Sequence, residues 1–214
     1  MKDGDSGLAI DVMYRTPAWV DAELARDLHR HEASVGYSTA VWANVRDGIA
    51  LANPTGWYGA LHRRAAVLYP EPLRGTIIAK NVPLLRRARG VYRHQIAKAI
   101  SRDDPVSVNH RLAAFMASAL DVVFATNRLP HPGEKRQLAT VEATCPLRPS
   151  RFIADVRYVP GAASGNDAGS LVAVDRLAAG IEVLVMREGL WPGDGNLATD
   201  GQLTIAADGR VGAG

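Results

Sequence analysis

The chain of 214 residues carries a single cysteine, Cys145. An intrachain disulfide and a cysteine-built metal cluster are therefore both excluded. A long apolar run is missing too. The richest stretch, RLAAFMASALDVVFA, is interrupted by Ser118 and Asp121. It falls short of the about 20 apolar residues that cross a bilayer. The opening MKDGDSG lacks the apolar segment of a secretory signal. Charge of one sign is also scarce: 25 basic against 22 acidic side chains leave a net charge of +3. That balance does not by itself point to nucleic acid. No internal repeat is present. These absences lead to the expectation of a soluble cytoplasmic protein that makes no use of a membrane.

What is there is a chain with 47% hydrophobic residues, enough for a sizeable core in one large domain or two small ones. Basic residues are unevenly placed. Residues 61–102 hold ten Lys or Arg and one acid, Glu71. A positive face there would attract phosphates, of a nucleotide or of nucleic acid. The plain alternative is a solvated helical surface.

Residues 8–15, LAIDVMYR, alternate Leu8, Ile10, Val12 and Tyr14 with Ala9, Asp11, Met13 and Arg15. The alternation predicts a strand bearing one carboxylate. Thr16 and Pro17 then suit the N-cap and first position of a helix, with Val20, Leu24 and Leu28 as its buried stripe. Residues 37–50 read as two more strands turning at Asp47-Gly48. From Tyr69 onward the pattern is helix after helix, with a break near Pro83, a long apolar helix over residues 105–129 and a last one over residues 170–190. The expected fold is α+β, mainly α: a strand, helix and hairpin piece over residues 1–58, a helical bundle over 59–190 and a loose Gly- and Ala-rich tail over 191–214.

Four places invite chemistry. Asp11 would hold a divalent cation only with companion carboxylates; Asp3 and Asp5 lie in a polar terminus without apolar flanks, and a hydrogen-bonded edge-strand Asp is the plainer reading. His29 and His31 point roughly 200° apart on a regular helix, which rules out a shared zinc ion. Asn109, His110 and Arg111 sit near the start of the long helix, where free N–H groups favour an anion. Asp121, about 16 Å further along the helix axis than His110, lies in an apolar stretch and needs a partner if buried. Finally, HPGEKR combines a stiff turn with Lys135 and Arg136, which suits a triphosphate or a solvated inter-helix turn.

Taken in order, IDVMYR, HEASVGYSTAVW, SVNHRLAAFMASALDVVFATNRL and HPGEKR resemble bacterial nucleotidyltransferase-domain proteins of the polymerase-β-like superfamily. The resemblance runs from about Leu8 to about Leu190. It implies transfer of a nucleoside monophosphate from an NTP to a hydroxyl acceptor, with Mg²⁺ held by an Asp-x-Asp pair and a third carboxylate on a later strand. Asp11 matches that third, catalytic and metal-binding carboxylate. The Gly-Ser turn and the Asp-x-Asp strand of the family are expected upstream and have no counterpart here, so this would be a C-terminal portion, incomplete alone. By the same resemblance Lys135 and Arg136 contact nucleotide phosphate, and His110, Arg111 and Asn127 line the nucleotide cleft. The partners implied are a nucleotide and a small-molecule hydroxyl acceptor, with a separate catalytic chain or a second copy completing the assembly. Two readings stand beside this one. The chain is a non-catalytic helical module that binds nucleotide, nucleic acid or a partner through the 61–102 face, or it is a relic whose exposed Leu8, Ile10 and Val12 drive self-association.

Overall fold

The computed structural model describes residues 7, 11–86, 91–162 and 168–193. Among them the chain is all helical: α1 (Pro17–Leu28), α2 (Ala40–Asp47), α3 (Trp57–Ala65), α4 (Glu71–Arg86), α5 (Tyr92–Ser101), α6 (Pro105–Thr126), α7 (Gln137–Thr144), α8 (Phe152–Ala162) and α9 (Ala168–Arg187). No strand and no sheet is found among the described residues. The expected α+β piece is thereby overturned. Its two errors have different physical causes.

The first concerns the opening ladder. Residues 8–10 lie outside the described residues, while residues 11–16 are irregular and exposed. A strand is stable only when a neighbour takes up its N–H and C=O groups, and among the described residues no strand is available to pair with it. The second error is the hairpin. Residues 40–47 form α2, which buries Trp42, Ala43 and Val45 on one helical face. In so short and apolar a stretch, AVWANV satisfies either period, and packing decides. Trp42 Nε1 donates to Ala65 O at 2.8 Å, tying α2 to α3. Gly48 ends the helix instead of turning a hairpin; a side chain there would collide with Tyr58 Oη.

Where local chemistry is explicit, the helices begin and end as the residues dictate. Thr16 Oγ1 accepts from Trp19 N at 3.2 Å and Pro17 occupies the first turn of α1. Asp104 caps α6 by accepting from Ser107 N at 3.0 Å. Pro83 does not break α4, which continues to Arg86. Proline removes one hydrogen bond and crowds the preceding turn. Burial of Ile77, Ile78, Val82 and Leu85 in the core outweighs that penalty.

The 22-residue α6 is the hub, packed against α4, α5, α7, α8 and α9. Its C-terminal half is buried on every side, with Ala119, Val122, Val123 and Phe124 almost wholly inaccessible. One hydrophobic core runs from Leu24 of α1 and Trp42 of α2 to Val185 of α9. No helix among the described residues is long and apolar enough to cross a membrane.

Candidate ligand cleft

Residues 29–39 leave α1, fold back over the bundle and carry the GYS tripeptide. Gly36 has φ +74°, and a Cβ there would lie 2.8 Å from Ala117 Cβ. Only glycine lets the backbone rest directly on α6 at this point. Tyr37, also left-handed at φ 55°, follows at once and turns its ring into a cleft of about 390 Å³. Across from it stand Asn109, Leu112, Met116 and Leu120 of α6, Gln137 and Leu138 of α7, and Val156 and Arg157 of α8. The walls are mainly aliphatic, with Asn109, Gln137 and Arg157 as polar points. That is the usual make-up of a small-molecule site. Gln137 Nε2 donates to Gly133 O at 2.9 Å and reaches Tyr37 Oη at 3.4 Å.

Behind Tyr37 lies His131 of the HPGEKR turn, fully buried. Its ring meets Tyr37 edge-on at 4.8 Å and Phe124 at 4.9 Å. Its Nδ1 accepts from Gly133 N at 3.0 Å, which places the proton on Nε2. Among the described residues that Nε2 makes no hydrogen bond. Burial disfavours the imidazolium and lowers the pKa to about 4. The backbone N–H of His131 donates to Thr39 Oγ1 at 2.7 Å. The GYST segment and the HPGEKR turn are thus joined by a ring contact and a hydrogen bond.

A second buried group holds the same segment from below. Asp121 is 1% exposed. It accepts from Ser38 N at 3.1 Å and from Ser38 Oγ at 2.6 Å. The partners that its burial required are therefore a backbone amide, a hydroxyl and, at 3.4 Å, the Asn81 Nδ2 amide, not the opposite charge of a salt bridge. Asn81 of α4 donates to Ser34 O at 3.1 Å and accepts from Gly36 N at 3.0 Å. Arg26 of α1 donates to Ser38 O at 2.9 Å and to Asp27 Oδ1 at 3.0 Å. Burial pushes Asp121 up to about 7, against the pull of the Ser38 hydrogen bonds and Arg26. Burial does the same to Asp27, again to about 7, although Arg26 opposes it.

The residues singled out by sequence are scattered relative to this cleft. Asp11 is 89% exposed, as is Lys135, and the two approach to 3.8 Å. An exposed pair of this kind contributes little to stability. Among the described residues no group of three or more His, Cys, Asp or Glu side chains is placed to hold a metal ion. His110 is exposed and Arg111 half-buried on α6, one and two residues beyond the cleft-lining Asn109. Arg136 is exposed at φ 56°, at the N-cap of α7. Asn127 lies off the cleft, with its amide engaged by backbone. It donates to Val123 O at 2.8 Å and Leu147 O at 2.7 Å, and accepts from Leu147 N at 2.9 Å. Tyr37, Gln137, Arg157 and the buried His131 were not anticipated as site residues. Only Gly36, as a residue permitting close backbone approach, offered a local signal.

The basic 61–102 stretch is also less open than its composition promised. Arg64 pairs with Asp21 at 2.5 Å, Arg74 with Glu71 at 3.2 Å, Arg86 with Glu182 at 2.6 Å and Arg93 with Asp175 at 3.1 Å. Three of those acids lie outside the stretch.

No family model, curated protein or solved structure matches the chain.

Proposed function

We propose that the chain is the helical, nucleotide-binding part of a nucleotidyltransferase-like protein, with the nucleotide held in the cleft between Tyr37, α6, α7 and α8. One observation carries the reading. Two of the four motif pieces that bear the resemblance, those with Tyr37 and Asn109, lie far apart in sequence and line a single cleft, together with Gln137, the residue that follows HPGEKR. In this reading a base ring would stack on Tyr37 against the aliphatic wall of the cleft of about 390 Å³. Asn109 and Gln137 supply the paired donors and acceptors that read a base edge, and Lys135 and Arg136 stand on the adjoining turn for phosphate. In the complete reaction an acceptor hydroxyl oxygen attacks the α-phosphorus of an NTP. Pyrophosphate leaves and the hydroxyl proton passes to a base. By the resemblance, Asp11 would join an Asp-x-Asp pair in holding Mg²⁺.

The test is calorimetry with ATP, GTP, CTP and UTP, with and without Mg²⁺. Base–aromatic stacking is worth about 1–3 kcal/mol per base. Tyr37→Ala should therefore weaken the preferred nucleotide by roughly tenfold or more, with far-UV circular dichroism unchanged. If no NTP binds, or if affinity is indifferent to Tyr37→Ala, the reading is wrong. Pyrophosphate release with a hydroxyl acceptor that persists undiminished in Asp11→Ala would remove Asp11 from the chemistry.

A further inference from the structure

The network beneath the cleft does more than fill a polar hole. Ser38 Oγ lies 2.6 Å from Asp121 Oδ2 and 3.2 Å from Ser34 O, yet a hydroxyl has one proton to give. Two arrangements satisfy the geometry. With Asp121 ionised, Ser38 donates to the carboxylate. With Asp121 protonated, the acid donates to Ser38 Oγ, and Ser38 turns its own proton to Ser34 O. Both keep the chain in place, but only the second avoids a bare charge in the interior.

We propose that Asp121 is a positioning residue for the cleft. Acting through Ser38, it holds Tyr37 in the cleft wall when it carries a proton, and slackens that hold when it is ionised. The inference rests on the reading of the cleft as a binding site. Its mechanical basis is adjacency: Tyr37 lies between Gly36, fixed to Asn81, and Ser38, fixed to Asp121. Its direction follows from linkage. The clamped carboxylate is buried, and burial outweighs the Ser38 bonds, so the clamped form takes up a proton up to about pH 7. A released segment would return Asp121 to water and to an ordinary carboxylate pKa. Release is therefore favoured as pH rises through about 7.

The surrounding groups do not reverse this sign. From α1 come the cation Arg26, which favours the ionised form, and Asp27, itself raised to about 7 by burial. Beyond Asp27 stands Glu23, ion-paired with Arg26 at 2.7 Å. Tyr69, ahead of α4, is neutral, its phenol raised well above its usual range by burial and by Asp121 and Asp27. α4 presents the uncharged Asn81, and its Arg74 and Glu71 act on Tyr69. From the HPGEKR turn, His131 meets Tyr37 as a neutral ring.

NMR of the free protein between pH 5.5 and 8.5 tests the clamp without any ligand. The Ser38 amide and the Tyr37 ring signals should titrate together with a midpoint near 7. The shared titration should be largely lost in Asp121→Asn, whose amide imitates the protonated acid, leaving only what Asp27 transmits to Ser38 through Arg26. Ser38→Ala, which deletes the hydroxyl's bonds to Asp121 and to Ser34 but keeps the Ser38 amide, should move the shared midpoint upward, because the hydroxyl bond to Asp121 favours the ionised form. With nucleotide present, affinity should fall several-fold from pH 6 to pH 8, within the limit of about tenfold per pH unit for one linked proton. Asp121→Asn should lose this dependence while keeping the part that comes from the nucleotide's own phosphates. A Tyr37 ring that stays still while Ser38 titrates, or that titrates unchanged in Asp121→Asn, overturns the proposal. Tyr37 and Ser38 titrating together in a protein that binds no NTP would uphold the clamp and refute the nucleotide reading instead.

Discussion

Three buried side chains set how this protein answers to acid and base. Asp27 and Asp121 hold their protons to about pH 7 in the fold, against about 4 in an unfolded chain. Between those values the native state binds more protons, so their contribution to stability is greatest below about pH 4 and falls as pH rises to 7. His131 runs the other way. Its native pKa of about 4 lies below the unfolded value of about 6.5, so its contribution is lost as pH falls from 6.5 to 4. Denaturation at pH 5 and pH 8 should show the wild type losing ground to Asp121→Asn as pH rises, since the amide has no charge to bury. A constant gap between the two proteins would mean that Asp121 is solvated. Asn127 acts without charge. Asn127→Ala leaves Leu147 N–H and C=O without their partner and should cost about 1–3 kcal/mol, read as a lower urea midpoint with unaltered nucleotide affinity.

Among the elements, the segment over residues 34–39 is the one whose failure would be most visible. Gly36→Ala brings a left-handed alanine, unfavourable by about 1–2 kcal/mol, and a Cβ pressed on Ala117. A loss of about 2–4 kcal/mol follows once overpacking is added. Cleft binding should weaken as well, because Ala117 also lines the cleft. A neutral result in both assays would show that the segment does not rest on α6 as described. The elements differ in how openly the sequence declares them. α1 and α6 are legible because Thr16-Pro17 and Asp104-Pro105 mark their starts and long apolar stripes follow. α2 is not, because eight residues with three buried positions satisfy two periods equally well. α4 looked divided at Pro83 because proline's penalty is local, whereas the burial that overrides it comes from α6. For the cleft, the motif positions near Asn109 and in HPGEKR were readable. Tyr37, Gln137 and Arg157 were not, since nothing local distinguishes a tyrosine that faces a cleft from one that faces water.

At the scale of the whole molecule, charge that looks concentrated in sequence is partly answered in space: among the described residues, four of the ten basic side chains over residues 61–102 pair with acids. An open basic face binds RNA tightly and releases it steeply with salt. With Arg64, Arg74, Arg86 and Arg93 all paired internally, single-stranded RNA should bind weakly at physiological salt. Fluorescence anisotropy with a labelled oligonucleotide checks this, and tight, steeply salt-dependent binding would revive the basic-face alternative. The polar anchors of residues 34–39 have a consequence of their own. Gly36 meets Asn81 across 45 residues, Ser38 meets Asp121 across 83 and Thr39 meets His131 across 92. Each such loop must close before its bond can form, whereas the helices gain their own bonds locally. After dilution from denaturant, ellipticity should therefore recover ahead of binding competence. Newly made chains would pass through a helical but ligand-blind interval, in which the half-finished pocket is the part most open to proteolysis.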